Sequence, residues 1–179
     1  RSDLRKEEPT MPDALPKKTL LIVYHSMTGG ARQMAEAARD GAATQASVRV
    51  HLARACDVRA DALLAADGFI FACPENLASM SGQMKDFFDR CYYPALERLN
   101  GRPYSTLICA GSDGGNAARQ IGRIAAGWRL KAVAEPLIVC THAQTPETIL
   151  APKRIGQEDL QACRSLGASL ACGMALGVF

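Results

Sequence analysis

Apolar runs of strand length punctuate the chain at Thr19–Tyr24, Val48–Ala53, Gly68–Cys73, Tyr104–Ala110 and Leu137–Thr141. Several are nearly continuous in Leu, Ile, Val and Phe, the pattern of strands covered on both faces. Between these runs the apolar positions change to helical spacing. Met34, Ala35, Ala38 and Ala42 share one face of a helix expected over residues 31–43, and Met84, Phe87, Phe88 and Cys91 do the same after Gly82. Ile121, Ile124, Ala125 and Trp128 mark a further helix, and Leu160, Cys163, Gly167, Leu170 and Met174 mark the last. Residues 60–66 predict a weaker second helix whose apolar face is mostly alanine.

Strict strand–helix alternation implies a three-layer α/β domain, a parallel sheet with helices on both faces. Right-handed crossovers and five strands make 2-1-3-4-5 the leading order. Ligands in such sheets bind beyond the carboxyl ends of the strands, near the switch point between strands 1 and 3. The loops that follow strands 1, 3 and 4 are therefore the places to look for chemistry.

A length of 179 residues suits one domain, expected over residues 18–179. No apolar run approaches the roughly 20 residues of a membrane-spanning helix. The charged, proline-bearing stretch at residues 1–17 has no signal-peptide pattern and reads as a disordered leader, with Met11 as a candidate natural start. Seven cysteines, scattered and without a C-x-x-C pair, read as reduced thiols of a cytoplasmic protein. Most sit beside Val, Ile, Ala or Phe, where cysteine acts as a small hydrophobe. A formal charge of +3, without basic runs interleaved with aromatics, argues against a nucleic-acid partner.

After strand 1 comes His25-Ser26-Met27-Thr28-Gly29-Gly30-Ala31-Arg32. Glycines at a strand-to-helix turn let backbone N–H groups face inward, and the helix start adds unpaired donors and a positive dipole end. The hydroxyls of Ser26 and Thr28 add two more donors, enough together to hold a phosphate monoester without a lysine. The spacing is neither the Walker pattern nor G-x-G-x-x-G. A structural alternative stays open, in which Thr28 caps the helix and the glycines only make the turn. Strand 4 ends in Ala110-Gly111-Ser112-Asp113-Gly114-Gly115-Asn116, where three glycines allow a flat ligand close to the backbone. Its alternative is a plain turn with Asp113 or Asn116 capping the next helix.

The turn at Ser26–Ala31 resembles the flavodoxin phosphate loop, Ser/Thr-x-Thr-Gly-x-Thr. Ser26, Thr28 and Gly29 match, and Ala31 replaces the last Thr, removing a hydroxyl but keeping its N–H. The segment Cys73–Arg90 is similar to that of NAD(P)H-dependent FMN reductases and related quinone reductases, with Pro74, Ser81, Gly82, Met84, Lys85, Phe88 and Asp89 in matching positions. The likeness runs colinearly over about residues 19–140. It implies a flavodoxin-like fold, with the FMN phosphate on Ser26, Met27, Thr28, Gly29, Gly30 and Ala31. By the same resemblance Pro74, Glu75, Asn76, Leu77, Met80, Ser81 and Gly82 surround the isoalloxazine ring, and Gly111, Ser112, Asp113 and Gly114 lie along its other side. Asn76 stands where these reductases often carry Tyr, so the loop offers no aromatic to stack on the flavin.

Other residues are read as structural. Ser79 or Ser81 is the expected N-cap of the third helix, and Lys85 with Asp89 a surface ion pair. Trp128 fits the core, His51 an exposed strand edge, and His25 a strand-end position beside the turn. His142 faces the same end of the sheet. Tyr92 and Tyr93 close the third helix, and the apolar end, residues 170–179, should pack on the sheet or on a partner subunit.

Three functions follow. The resemblance implies an FMN-dependent oxidoreductase taking electrons from NADPH or NADH and passing them to quinones, flavins or similar small acceptors. It needs no catalytic acid, base, nucleophile or metal from the chain, and a homodimer or homotetramer is a possible assembly. An electron-carrying flavodoxin is the second reading, opposed by the positive charge, since such carriers tend to be acidic. The third is a flavodoxin-like binding module without cofactor.

Overall fold

A computed structural model describes residues 17–179; the expected leader lies almost wholly outside them. In chain order the elements are β1 (Lys18–Tyr24), α1 (Gly30–Ala42), β2 (Val48–Arg54), α2 (Ala60–Ala65), β3 (Gly68–Asn76), β4 (Ser79–Met80) and α3 (Gly82–Ala95). They continue as β5 (Pro103–Ala110), α4 (Gly115–Gly127), β6 (Lys131–Ala132), β7 (Leu137–Cys140), α5 (Pro146–Leu150) and α6 (Gln157–Leu176).

β2, β1, β3 and β5 run parallel in that order, and β6 and β7 both lie along the remaining side of β5. For the five strands expected from the sequence this is the order 2-1-3-4-5, with the fifth broken in two. β6 pairs with Pro103 and Tyr104, and β7 with Leu107 to Ala110. Between them Pro136 has no N–H to offer the ladder, which is tolerable only at a sheet edge. The interior strand β5 is buried throughout, so its near-continuous apolar run reflects cover on both faces.

The core has two layers. Phe71, Phe87, Phe88 and Trp128 form a fully buried aromatic group between the sheet and α2, α3 and α4, with Phe71 and Phe88 meeting edge to face at 5.2 Å. On the other face α1 and α6 cover Leu20, Ile22 and Ile70 with Met34, Ala38, Cys163 and Leu170. These two helices touch through glycine. A Cβ on Gly41 would collide with the Arg164 carbonyl, and one on Gly167 with the Ala38 carbonyl.

Several expectations need correction. The third strand, expected to end at Cys73, does not stop before Pro74. β3 runs through it to Asn76, and the chain folds back as β4, so the ring loop is an antiparallel hairpin pairing Glu75 with Met80 and Asn76 with Ser79. α5 was not expected, although Thr145-Pro146-Glu147 carries a helix start: Thr145 forms a reciprocal cap with Thr148. The chain end packs only partly. Leu170, Ala171 and Met174 are buried, whereas Leu176 and Val178 are exposed. Trp128 is buried in the core, and Lys85 meets Asp89 at 2.7 Å on the surface, both as the spacing suggests.

Candidate functional site

The carboxyl ends of β1, β3 and β5 meet at one rim, and three segments rise from it. The first is the turn Ser26–Gly29. Gly29 is the N-cap of α1 with φ +92°, a conformation that an L side chain rarely adopts. The Ser26 hydroxyl accepts from the Gly29 N–H at 3.0 Å, folding the turn back on itself. Thr28 therefore does not cap the helix. Gly30 and Ala31 follow in the first helical turn, whose N–H groups lack helical acceptors.

The turn is held from outside by a strap that leads from β7 into α6. The Lys153 N–H donates to the Thr28 carbonyl at 2.8 Å. Gln33 bridges turn and strap, donating to the Gly29 carbonyl at 2.9 Å and the Lys153 carbonyl at 2.7 Å, while its Oε1 accepts from the Ile155 N–H. The Lys153 ammonium binds the carbonyls of Thr148, Ile149 and Ala151 at the end of α5. The bonds between turn and strap span about 120 residues of sequence, and nothing local in the chain announces them.

The second segment is the β3–β4 hairpin. Leu77 and Ala78 at its tip have φ of +50° and +58°, the type I′ pattern that usually takes Asn-Gly. The tip is bound from α4: Asn116 Nδ2 donates to the Ala78 carbonyl, and Gln120 Oε1 accepts from the Ser79 hydroxyl and the Met80 N–H, both at 2.9 Å. Asn76 Nδ2 reaches across to Met27 Sδ at 3.2 Å. The third segment, Gly111–Gly114, leads into α4 through Gly114, and Asp113 Oδ1 accepts from the Gly115 N–H at 3.1 Å.

Between turn, hairpin and third loop lies a cleft of about 520 Å³, within the range of small-molecule and cofactor sites. Met27, Thr28, Pro74, Glu75, Asn76, Leu77, Gly111 and Ser112 line it, with Lys153 and Ile149 of the strap at its edge. Ser26 and Gly29 instead face a second cleft on the far side of the turn. Gly30, Ala31, Met80, Ser81, Gly82, Asp113 and Gly114 line neither cleft. Ser81 precedes α3 but makes no side-chain cap; it is fully buried, and its hydroxyl meets His25 Nδ1 at 2.7 Å. Burial lowers the pKa of that imidazole. Glu75 Oε2 is buried in the hairpin wall without a hydrogen-bond partner among the described residues.

Cysteine chemistry is disfavoured beside the cleft. Cys109 lines it and Cys73, next to Pro74 in β3, is buried, and burial pushes both thiols up to about 11. None of the seven cysteines is in a disulfide. Among the described residues no group of three or more His, Cys, Asp or Glu is arranged to hold a metal, and no helix is long and apolar enough to cross a membrane.

Comparison with known proteins gives the family and the fold. The chain is similar to an NAD(P)H dehydrogenase (quinone) of Acidithiobacillus ferrooxidans, 32% identical over 91 residues, covering 40% of this chain and 46% of the relative. It is also similar to a flavodoxin of Aquifex aeolicus, 29% identical over 96 residues, covering 54% and 50%. The chain thus spans about half the length of the curated relatives it matches. Among solved structures, a flavodoxin from the domain Archaea superposes with a TM-score of 0.70 at 22% identity, over 88% of this chain and 99% of that one. A flavodoxin, WrbA-like protein from Agrobacterium tumefaciens gives 0.69 at 21%, over 89% and 99%; at such identities these show the flavodoxin-like fold. Residues 31–144 match the model of the NADPH-dependent FMN reductase family, and the chain belongs to that family.

Proposed function

We propose that this chain is a flavin-dependent oxidoreductase that holds FMN in the 520 Å³ cleft and passes electrons from NADPH or NADH to a small acceptor such as a quinone or a flavin. The observation that carries the reading is the convergence of a phosphate-suited turn and two ring-sized walls at the carboxyl ends of β1, β3 and β5, in a chain of this family.

The residues present fit the group. At the turn end of the cleft Thr28 brings a hydroxyl, and the α1 N-terminus behind the turn adds its positive dipole end, both suited to a phosphate. Lys153 adds a positive charge at the edge, since its ammonium is bound only to neutral carbonyls. Along the wall the orphaned Glu75 Oε2 is the complement of a ligand N–H, and the hairpin places backbone groups beside it. No Phe, Tyr or Trp lines the cleft among the described residues, which leaves a ring face open to a second reactant.

Bound FMN supplies the redox chemistry, accepting a hydride equivalent from nicotinamide and yielding two electrons to the acceptor. The chain's part is to bind, orient and keep one face accessible. Gly29 and Ser26 fix the turn, Gln33 and Lys153 hold its outer edge, and Asn116 and Gln120 hold the hairpin. No side-chain acid or nucleophile is required. The open cleft and the formal charge of +3 favour a reductase over an electron carrier.

The test is the visible spectrum of the purified full chain with added FMN, followed by steady-state oxidation of NADPH or NADH with a quinone. A bound-flavin spectrum and acceptor-dependent turnover are expected. If FMN neither binds nor raises the melting temperature, the proposal fails; binding without turnover leaves the carrier reading.

A further inference from the structure

The strap between β7 and α6 is anchored at its two ends and packs on nothing between them. Residues 144–152 are all exposed, and α5 within them buries no side chain. Among the described residues, 143–152 form no hydrogen bond outside the strap except to Lys153 at its end. One anchor is His142, whose N–H donates to the Gly111 carbonyl at 2.8 Å and whose φ is +58°. The other is Lys153, bonded through its N–H to Thr28 and through its carbonyl to Gln33.

α5 is capped at both ends all the same. At its start Thr145 and Thr148 each accept the other's N–H, at 3.3 and 3.1 Å, and Pro146 sits in the first turn. At its close the Lys153 ammonium donates to the carbonyls of Thr148, Ile149 and Ala151. A helix this short is marginal in water without tertiary packing, so the caps are what keep it folded. It is therefore a rigid body on two tethers. A non-glycine residue held at positive φ marks one of them, as is common at segments that switch.

The strap also carries apolar side chains with nothing to cover them. Nine large apolar residues are exposed among the described residues, and four stand on the turn, the hairpin tip and the strap. They are Met27 at 61%, Leu77 at 101%, Ile149 at 49% and Leu150 at 67%. Apolar groups gathered in this way mark a surface that becomes covered. Ile149 shares the proposed flavin cleft with Leu77 and Met27. Leu150, the next residue, lines the cleft behind the turn, which Met27 also borders. A swing of α5 towards the hairpin brings Ile149 onto Leu77 and Leu150 onto Met27.

We propose that residues 143–152 are a lid, hinged at His142 and Lys153, that closes over a bound flavin ring by pressing Ile149 and Leu150 against Leu77 and Met27. The inference rests on the reductase reading for what is enclosed. Closure keeps water from the ring, and opening admits and releases each reactant. Lys153 links lid and site, since its backbone is bonded to the turn and its ammonium to α5.

The experiment is hydrogen–deuterium exchange of the full chain, read by mass spectrometry, with and without FMN. In the free chain the amides of 144–152 should exchange by local opening, at a rate that low urea leaves unchanged. Lys153→Gln, which uncaps α5, should speed that exchange about tenfold, and bound FMN should slow it about tenfold. Stopped-flow release of FMN should be about tenfold faster in Leu77→Ser and in Ile149→Ser, and no faster still in the double variant, because either substitution removes the same contact. Multiplied effects, about a hundredfold, mean two independent fixed walls and overturn the lid. So does exchange of 144–152 as slow as that of the core, or exchange unchanged by FMN whose binding absorbance confirms. A chain that binds no FMN sinks the reductase reading instead, and the free-chain exchange still decides whether the strap opens by itself.

Discussion

Gln120 on α4 holds the backbone of Met80 across the gap to the β3–β4 hairpin, its Oε1 accepting the Met80 N–H at 2.9 Å while also taking the Ser79 hydroxyl. The hairpin is a wall of the proposed flavin cleft, so its position depends on this one oxygen and on Asn116 one turn earlier. Only the acceptor end of the amide is used. Gln120→Leu should leave two donors unmet at a cost of about 1–3 kcal/mol and weaken FMN binding by about tenfold. Gln120→Glu keeps the acceptor and should restore affinity, as read by flavin absorbance titration. If both variants behave alike, Gln120 does not position the hairpin through these bonds.

The hairpin tip carries a conformational cost. Ala78 at φ +58° lies in a region that costs an L residue about 1–2 kcal/mol. Ala78→Gly removes that strain and should raise unfolding stability by roughly 1 kcal/mol, offset in part by backbone entropy. The midpoint of urea unfolding measures it, and a fall in midpoint would contradict the assigned backbone.

Close approach of α1 and α6 makes Gly167 a site where one methyl group is not tolerated. Its Cβ would meet the Ala38 carbonyl, which is backbone and cannot swing aside. Gly167→Ala should cost about 3 kcal/mol or more, beyond ordinary overpacking. Gly122→Ala is the internal control. It sits within α4 with room for a Cβ, 3.8 Å from the Tyr104 hydroxyl, and should stabilise by about 0.5–1 kcal/mol. Thermal melts of the two variants should therefore move in opposite directions.

His25 predicts an acid-side loss of stability. Burial lowers its pKa from 6.5, so as pH falls below that value the unfolded chain takes up a proton that the folded chain resists. Its contribution is present above 6.5 and is lost as pH falls towards the depressed folded value. Melting temperatures of the native chain and His25→Gln between pH 5 and pH 8 should diverge at neutral pH and draw together at the acid end. Parallel curves would show that His25 does not report this burial.

The thiols predict a labelling pattern. Cys56 and Cys172 are exposed, whereas Cys73, Cys109 and Cys163 are buried with thiols pushed up to about 11, 11 and 12. Brief alkylation at neutral pH followed by mass spectrometry should modify Cys56 and Cys172 and leave these three intact until the chain is unfolded. Early modification of Cys109 would contradict the burial of its thiol.

Much of this protein is legible in the chain itself, because the governing forces are local or periodic. Alternation of doubly covered apolar runs with 3.6-residue periodicity determines a parallel α/β sheet, and the handedness of the crossovers restricts its order. Gly29 is readable at the turn because only glycine tolerates the backbone required there, and Trp128 is readable as core from its helical face. The tertiary structure decided what depends on contacts between distant segments. Pro74 looks like a loop opener until β5 pairs beside it and carries β3 on into a hairpin. The supports of the site, Gln33 with Lys153 and Gln120 with Met80, join residues 120 and 40 positions apart. Polar side chains that satisfy a distant backbone group leave no spacing in the sequence, since their partner is set only when the layers close. The same holds for Leu77 and Ile149: each reads alone as an ordinary apolar position, and only the fold brings them to one cleft.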